Sequence, residues 1–153
     1  MISLELALQL KEAGLEWKPA MLDFFALPDR QMDERIFVIS DMLVTVDVMQ
    51  GLQVVAFQGA SEWALDSLVT TEAVWIPREE QLRAMLEAAL LGAGRPEMRL
   101  LAGVGGYRLD FQYENRTLTF EGPNPEELYA RGLLYLLRRR GGSPPYSEGD
   151  ESG

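Results

Sequence analysis

The stretch MRLLAGVGGYRLDFQYENRTLTFEG, residues 98–122, decides the fold. Apolar and polar residues alternate along its centre, the pattern of a strand with one buried face. Tyr107, Leu109, Phe111 and Tyr113 share one face. The residues between them are polar: Arg108, Asp110 and Gln112. The glycines at 103–106 and the pair at 114–115 favour turns, so the stretch predicts three antiparallel strands, MRLLAG, GYRLDFQYE and RTLTFEG.

Helical patterns flank these strands on both sides. PREEQLRAMLEAALLGAG, residues 77–94, predicts a helix that starts near Pro77 and stops at Gly92 and Gly94. NPEELYARGLLYLLRRR, residues 124–140, opens with a capping box from Asn124 to Glu127 and ends in three arginines that suit the helix dipole. A C-terminal three-strand meander followed by a helix is therefore expected.

The N-terminal half mixes helix and strand signals. Ser3 predicts a helix N-cap and Gly14 its end, and residues 15–29, rich in aromatics and proline, read as a loop packed on the core. Strands are expected at 35–40, at 43–49 and 52–59 around a turn at 50–51, and at 72–76. The predicted fold class is α+β, with helices packed on one antiparallel sheet. Residues 1–140 are expected to form a single globular domain and 141–153 a disordered acidic tail.

The residue types that are missing narrow the chemistry. The 153 residues include no cysteine and no histidine, which excludes thiol nucleophiles, Cys-ligated zinc and the commonest general base. The net charge is −10, concentrated in the N-terminal half, and an acidic chain repels nucleic-acid phosphate. No apolar run is long enough for a bilayer span and no signal peptide is evident, so we expect a cytoplasmic protein without membrane contact.

Familiar ligand motifs are absent as well. The glycine clusters at 92–95 and 103–106 lack the lysine of a phosphate loop, and the first ends a helix instead of starting one. The acids at 29–34 do not follow the spacing of an EF-hand. The sequence therefore predicts no cofactor, no metal site and no catalytic residue.

The segment GASEWALDSL, residues 59–68, is the candidate binding site. If it is helical from Ser61, Glu62 and Asp66 lie on one face, and Trp63 together with Trp75 could line a ligand pocket. The alternative is a short capped helix whose acids face water while the indoles belong to the core. The second interpretation is favoured, because no histidine, cysteine or nearby lysine activates a nucleophile.

Two resemblances bear on these predictions. The helix–three strands–helix order of residues 78–140 is similar to the double-stranded RNA-binding domain, but the place of that family's lysine cluster holds Glu126 and Glu127, which argues against RNA binding. LKEAGLEWKP (10–19), RIFVISDM (35–42), the stretch from SEWALDS to RAML (61–86) and the C-terminal third resemble a family of small bacterial proteins, mostly from Gram-positive lineages, over residues 3–138. That family implies no activity or site residue. Some members carry a pilus-assembly ATPase label, which does not suit a chain without a phosphate loop.

The expected function is binding without catalysis. The acidic N-terminal part beside a mildly basic segment at 81–140 favours a protein partner or self-association. The alternatives are a small-ligand binder or weak hydrolase built around residues 62–75, and an acidic decoy that mimics DNA.

Overall fold

A computed structural model describes residues 1–28, 32–39, 44–49, 52–57, 67–69, 72–94 and 97–141. The helices in these ranges are α1 (Leu4–Glu12), α2 (Glu79–Gly92) and α3 (Pro125–Arg140). The strands in these ranges are β1 (Phe24–Leu27), β2 (Met32–Val38), β3 (Val44–Met49), β4 (Leu52–Phe57), β5 (Ser67–Val69), β6 (Val74–Ile76), β7 (Met98–Gly103), β8 (Gly106–Tyr113) and β9 (Arg116–Gly122).

The strands of the described residues form three antiparallel sheets. Their orders are β2–β1–β6, β3–β4–β5 and β7–β8–β9. The α+β class and the C-terminal meander followed by a helix are confirmed. The strands are shared among three small sheets, whereas the sequence pattern suggested one.

Helix α1 has the ends that its sequence predicts. The backbone N–H of Leu6 donates to Ser3 Oγ at 3.1 Å, so the N-cap is made as expected. Gly14 follows the last turn at φ +105°, a conformation that residues with a Cβ rarely adopt. Both signals are local, which is why the sequence alone reveals them.

Helices α2 and α3 differ from the prediction at their starts. Pro77 precedes the N-cap of α2, and the N–H of the N-cap residue Arg78 donates to Gln81 Oε1 at 2.9 Å. In α3 Pro125 occupies the first turn as predicted, but the capping box is wrong because Asn124 makes no side-chain cap hydrogen bond. The Glu127 carboxylate lies 3.9 Å from the Arg131 guanidinium instead.

The meander buries the face that its alternation predicts. Leu109 and Phe111 are buried on the side of the sheet that contacts α3, while Arg108 and Gln112 on the other side are exposed. Gly132 of α3 allows close packing, because a Cβ there would lie 3.0 Å from the Phe111 ring. Buried residues as far apart in the chain as Ile2 and Leu136 share this apolar core, to which α1, α2, α3 and β6 all contribute side chains.

Two predicted segments need correction. The region 15–29 is not only a loop, since it contains β1, which pairs with β2 on one side and β6 on the other. The short helix expected over 61–68 is wrong at its end, because Ser67–Val69 forms β5 and Leu68 pairs with Val55 of β4. The rest of that helix and the predicted tail after residue 141 lie outside the described residues.

Candidate functional site

Of the four predicted site residues, Trp75 is the one inside the described ranges. It belongs to β6 and lies opposite Phe25 of β1. Its neighbours Val74 and Ile76 enter the main core, so the strand alternation places Trp75 on the other face of the sheet. Glu62, Trp63 and Asp66 fall outside the described residues, and whether they approach Trp75 stays a prediction.

Trp75 forms part of an aromatic cluster that the sequence did not reveal. Its ring stacks on Trp17 with centroids 6.4 Å apart and planes at 12°. Trp17 also contacts Phe25 at 5.5 Å, and Phe25 stacks on Phe37 at 5.4 Å. The cluster brings the segment after α1 onto the β2–β1–β6 sheet.

The Trp75 indole has one unusual feature. Within the described residues, its Nε1 is the one buried side-chain nitrogen or oxygen without a hydrogen-bond partner. An unpaired buried donor costs about 1 to 3 kcal/mol relative to a paired one. A carbonyl or carboxylate oxygen placed beside it would remove that cost.

A buried carboxylate lies next to this cluster. Asp23 belongs to the segment that leads into β1 and is 2% exposed. Its Oδ2 accepts from Trp17 Nε1 at 2.9 Å and from the Ala20 N–H at 3.1 Å, and its Oδ1 accepts from Gln81 Nε2 at 2.9 Å. Sequence reasoning missed this residue. A lone acid inside the apolar run AMLDFFAL was the available signal.

Arg78 completes the surroundings of Asp23. Its guanidinium lies 3.7 Å from Asp23 Oδ1 and donates to the carbonyl of Leu22, which has φ +70°. The same guanidinium lies 5.9 Å from the centre of the Phe24 ring. Both oxygens of Asp23 accept hydrogen bonds from protein donors, so the carboxylate ties the segment 17–23 to α2.

The uncovered face of the meander is the second candidate. We call it the meander surface and define it by the outward-facing side chains of β7, β8 and β9: Arg99, Leu101, Arg108, Asp110, Gln112, Thr117, Thr119 and Glu121. A cleft of about 670 Å³ opens at the end of this surface where β7 begins, between Arg99, Asp110 and Thr117. Acidic, basic and hydroxyl groups alternate across its three strands.

Asp110 is the central anion of the meander surface. Thr119 Oγ1 donates to its Oδ1 at 2.8 Å, and the Arg108 guanidinium lies 3.1 Å from its Oδ2. The hydrogen bond from Thr119, followed by the bond and charge of Arg108, lowers the pKa of the Asp110 carboxyl. The carboxylate is therefore held in its charged form in a fixed position.

The hairpin between β7 and β8 extends this surface with apolar groups. Leu101 is 44% exposed, and Val104 at the tip is fully exposed. Single exposed apolar residues are common, but here Leu101 lies within a patterned polar face and Val104 lies at its end. Sequence alternation identified the outward residues of the central strand, Arg108, Asp110 and Gln112, without indicating that the face is uncovered.

Comparisons with protein-family models, with curated proteins and with solved structures find no match. The family resemblance of residues 3–138 therefore stays a prediction. In the described ranges no group of three acidic, histidine or cysteine side chains is placed to hold a metal ion. None of the helices in those ranges combines the length and apolar character of a membrane span.

Proposed function

We propose that this chain is a cytoplasmic, non-enzymatic accessory protein that binds another protein through the meander surface. The observation that carries the proposal is a three-stranded sheet with helices on one face and a patterned set of charged and polar side chains on the other. Fixed charges of both signs on one face can be matched by complementary charges on a protein partner.

The order within the surface supports this proposal. Arg108, Asp110 and Thr119 are already joined by hydrogen bonds, so a partner does not have to immobilise them. Binding costs less conformational entropy when side chains are fixed beforehand. The mixed charges favour a protein partner with a complementary pattern over a uniformly anionic nucleic acid.

The residue inventory supports binding over catalysis. The chain lacks the histidine and cysteine that most acid–base and nucleophilic mechanisms use. The buried carboxylate, Asp23, is engaged by protein donors on both oxygens. A reaction at the meander surface would take place on an open sheet face that does not exclude water.

Crosslinking in cells of the source organism tests the proposal. A photoreactive phenylalanine analogue replaces Gln112 on the meander surface or, as a control, Ala84 on the exposed face of α2. We expect a defined protein adduct from position 112 but not from 84, and loss of that adduct in an Arg108→Glu variant. Adducts of equal yield from both positions, or no adduct from 112, would contradict the proposal.

The unpaired Trp75 indole favours a second candidate, a small-ligand binder around residues 62–75. It requires a ligand oxygen that accepts from Trp75 Nε1. The signal of the Trp75 indole N–H in the nitrogen–proton NMR spectrum is assigned by its loss in a Trp75→Phe variant. A panel of small amides and carboxylates is then added to the wild-type protein. A saturable shift of the Trp75 signal supports this candidate, and an unchanged signal with every compound removes it.

A further inference from the structure

The loops of the meander determine which backbone groups of β7 point outward. Gly103 and Gly106 pair directly across a two-residue loop, and such a flanking pair exchanges both of its hydrogen bonds. By alternation, Arg99 and Leu101 also bond to β8. The N–H and C=O groups of Met98, Leu100 and Ala102 therefore point away from the sheet.

The other edge of the meander agrees with this rule. Tyr113 and Arg116 flank the second two-residue loop, so Thr117, Thr119 and Glu121 of β9 are the residues with outward backbone groups. Arg131 Nη1 donates to the Glu121 carbonyl at 2.8 Å, as an outward-pointing carbonyl allows. The β9 edge is thus partly occupied by a side chain of α3.

The β7 edge has the features of a pairing strand. No strand of the described ranges pairs with its outer side, and its register with β8 runs without a bulge. Its one charged residue is Arg99, while Leu101, Ala102 and Gly103 are exposed. Proteins commonly protect an edge with lysine, proline or a bulge, and β7 contains none of these.

We propose that β7 pairs antiparallel with β7 of a second copy of this chain, joining two meanders into one six-stranded sheet. This inference goes beyond the proposed function, because it concerns the β7 edge of the sheet and not the outward face. A strand paired with itself about a two-fold axis gives a closed dimer. Pairing of β7 with β9 of another copy would run head to tail and would meet Arg131 at the β9 edge.

Side-chain faces and charge select the register. In a continuous sheet, two residues that lie opposite one another must have their side chains on the same face. The two-fold axis of the dimer therefore passes between two copies of the same residue, near the middle of β7: Arg99, Leu100 or Leu101. An axis at Arg99 sets two guanidinium groups face to face, and an axis at Leu100 keeps them diagonal neighbours. An axis at Leu101 brings the two exposed leucines together. It also sets Leu100 opposite Ala102 and Arg99 opposite Gly103, where there is space.

A single cysteine tests this register directly. The native chain has no cysteine, so a disulfide in a Leu101→Cys variant can form only between two molecules. The two Cβ atoms of a directly opposed, non-hydrogen-bonded pair lie about 4.5 to 5.5 Å apart, close to the spacing that a disulfide accepts. We expect Leu101→Cys to form a covalent dimer at least tenfold faster under mild oxidation than Leu91→Cys, whose position on α2 is 65% exposed. Equal rates for the two variants would overturn the proposed pairing.

Proline variants test the pairing at the β7 edge without a covalent link between the two copies. Ala102→Pro removes an outward N–H of β7, and Thr117→Pro removes the equivalent outward N–H of β9. By sedimentation velocity, with folding checked by circular dichroism, we expect dimerisation to weaken at least tenfold in Ala102→Pro and to be unchanged in Thr117→Pro. A wild-type chain that stays monomeric at millimolar concentration, or equal weakening in both variants, would overturn the inference.

The two proposals fail in distinguishable ways. A monomeric wild-type chain whose position 112 still crosslinks to a different protein retains the proposed function and loses the dimer. A chain that dimerises through Leu101 but gives no adduct with another protein retains the dimer and loses the heterologous partner.

Discussion

Asp23 shows how one residue can join distant parts of a chain. It accepts hydrogen bonds from Trp17, six positions before it, and from Gln81 of α2. The tie lies beside the stacked indoles of Trp17 and Trp75, so the carboxylate and the aromatic cluster fix the same segment. Any change in the charge or shape of this side chain affects both contacts.

Replacing Asp23 by Asn keeps the side-chain volume and replaces one acceptor oxygen by a donor NH₂. That NH₂ then faces the donors of Trp17, Ala20 or Gln81, and the Arg78 guanidinium loses its nearest buried anion. We expect a loss of about 2 to 3 kcal/mol in the free energy of unfolding. Urea unfolding measures it, with Glu12→Gln, an exposed change on α1, as the control. A loss no larger than that of the control would show that Asp23 is not a stabilising tie.

The importance of these residues could be predicted only in part. Trp75 was a candidate because of its type and its place in a β-branched run. Asp23 has a partner 58 positions away, and single-sequence periodicity carries no information about contacts at that range. The one local signal for Asp23 was that a single acidic residue stands within an apolar run.

At the scale of elements, local patterns predict well where each strand or helix has a long regular run. The meander strands follow their alternation, and α2 and α3 cover the runs that their periodicity predicts, although the capping box at Asn124 does not form. Strand β1 was missed because only four residues separate Asp23 from Pro28. Strand β5 has three residues and follows a segment with helical spacing, so its pairing with β4 decides its structure.

Two glycines in the helices give opposite expectations. Gly132→Ala places a Cβ at 3.0 Å from the Phe111 ring and 3.4 Å from Leu86, whereas Gly92→Ala meets no atom within 4 Å. We expect Gly132→Ala to destabilise by about 1 kcal/mol, because overpacking outweighs the gain in helix propensity. Gly92→Ala is expected to stabilise by about 0.5 kcal/mol. Thermal unfolding distinguishes them, and stabilisation by both variants would refute the close packing of α3 on the meander.

At the scale of the whole molecule, α1 and α3 bring distant segments together in one core. The Met1 ammonium group pairs with the Glu126 carboxylate in the first turn of α3. Sheet order could not be predicted, because it depends on which strands meet after collapse and several pairings satisfy the same alternation. The division into three sheets follows from those long-range choices.

The Met1–Glu126 pair gives the molecule a specific pH dependence. The hydrogen bond from the Met1 ammonium lowers the pKa of the Glu126 carboxyl below its ordinary 4.5. A lowered pKa means that the pair stabilises the fold above that ordinary value and that this contribution is lost as the pH falls through the lowered one. We expect Glu126→Gln to reduce stability slightly at pH 7, by less than about 1 kcal/mol, and to have no effect at pH 2. Chemical unfolding at the two pH values measures this, and an equal effect at both would exclude the ion pair as its cause.

The arrangement of contacts along the chain also bears on the order of folding. The three meander strands contact neighbours close in sequence, whereas α2 packs against α3 on the far side of the meander segment and β1 and β6 pair residues about fifty positions apart. Because short loops close with less loss of entropy, the meander is expected to acquire protection from hydrogen exchange before the β2–β1–β6 sheet does. The tie at Asp23 would then act late, locking the N-terminal segment onto a scaffold that has already formed.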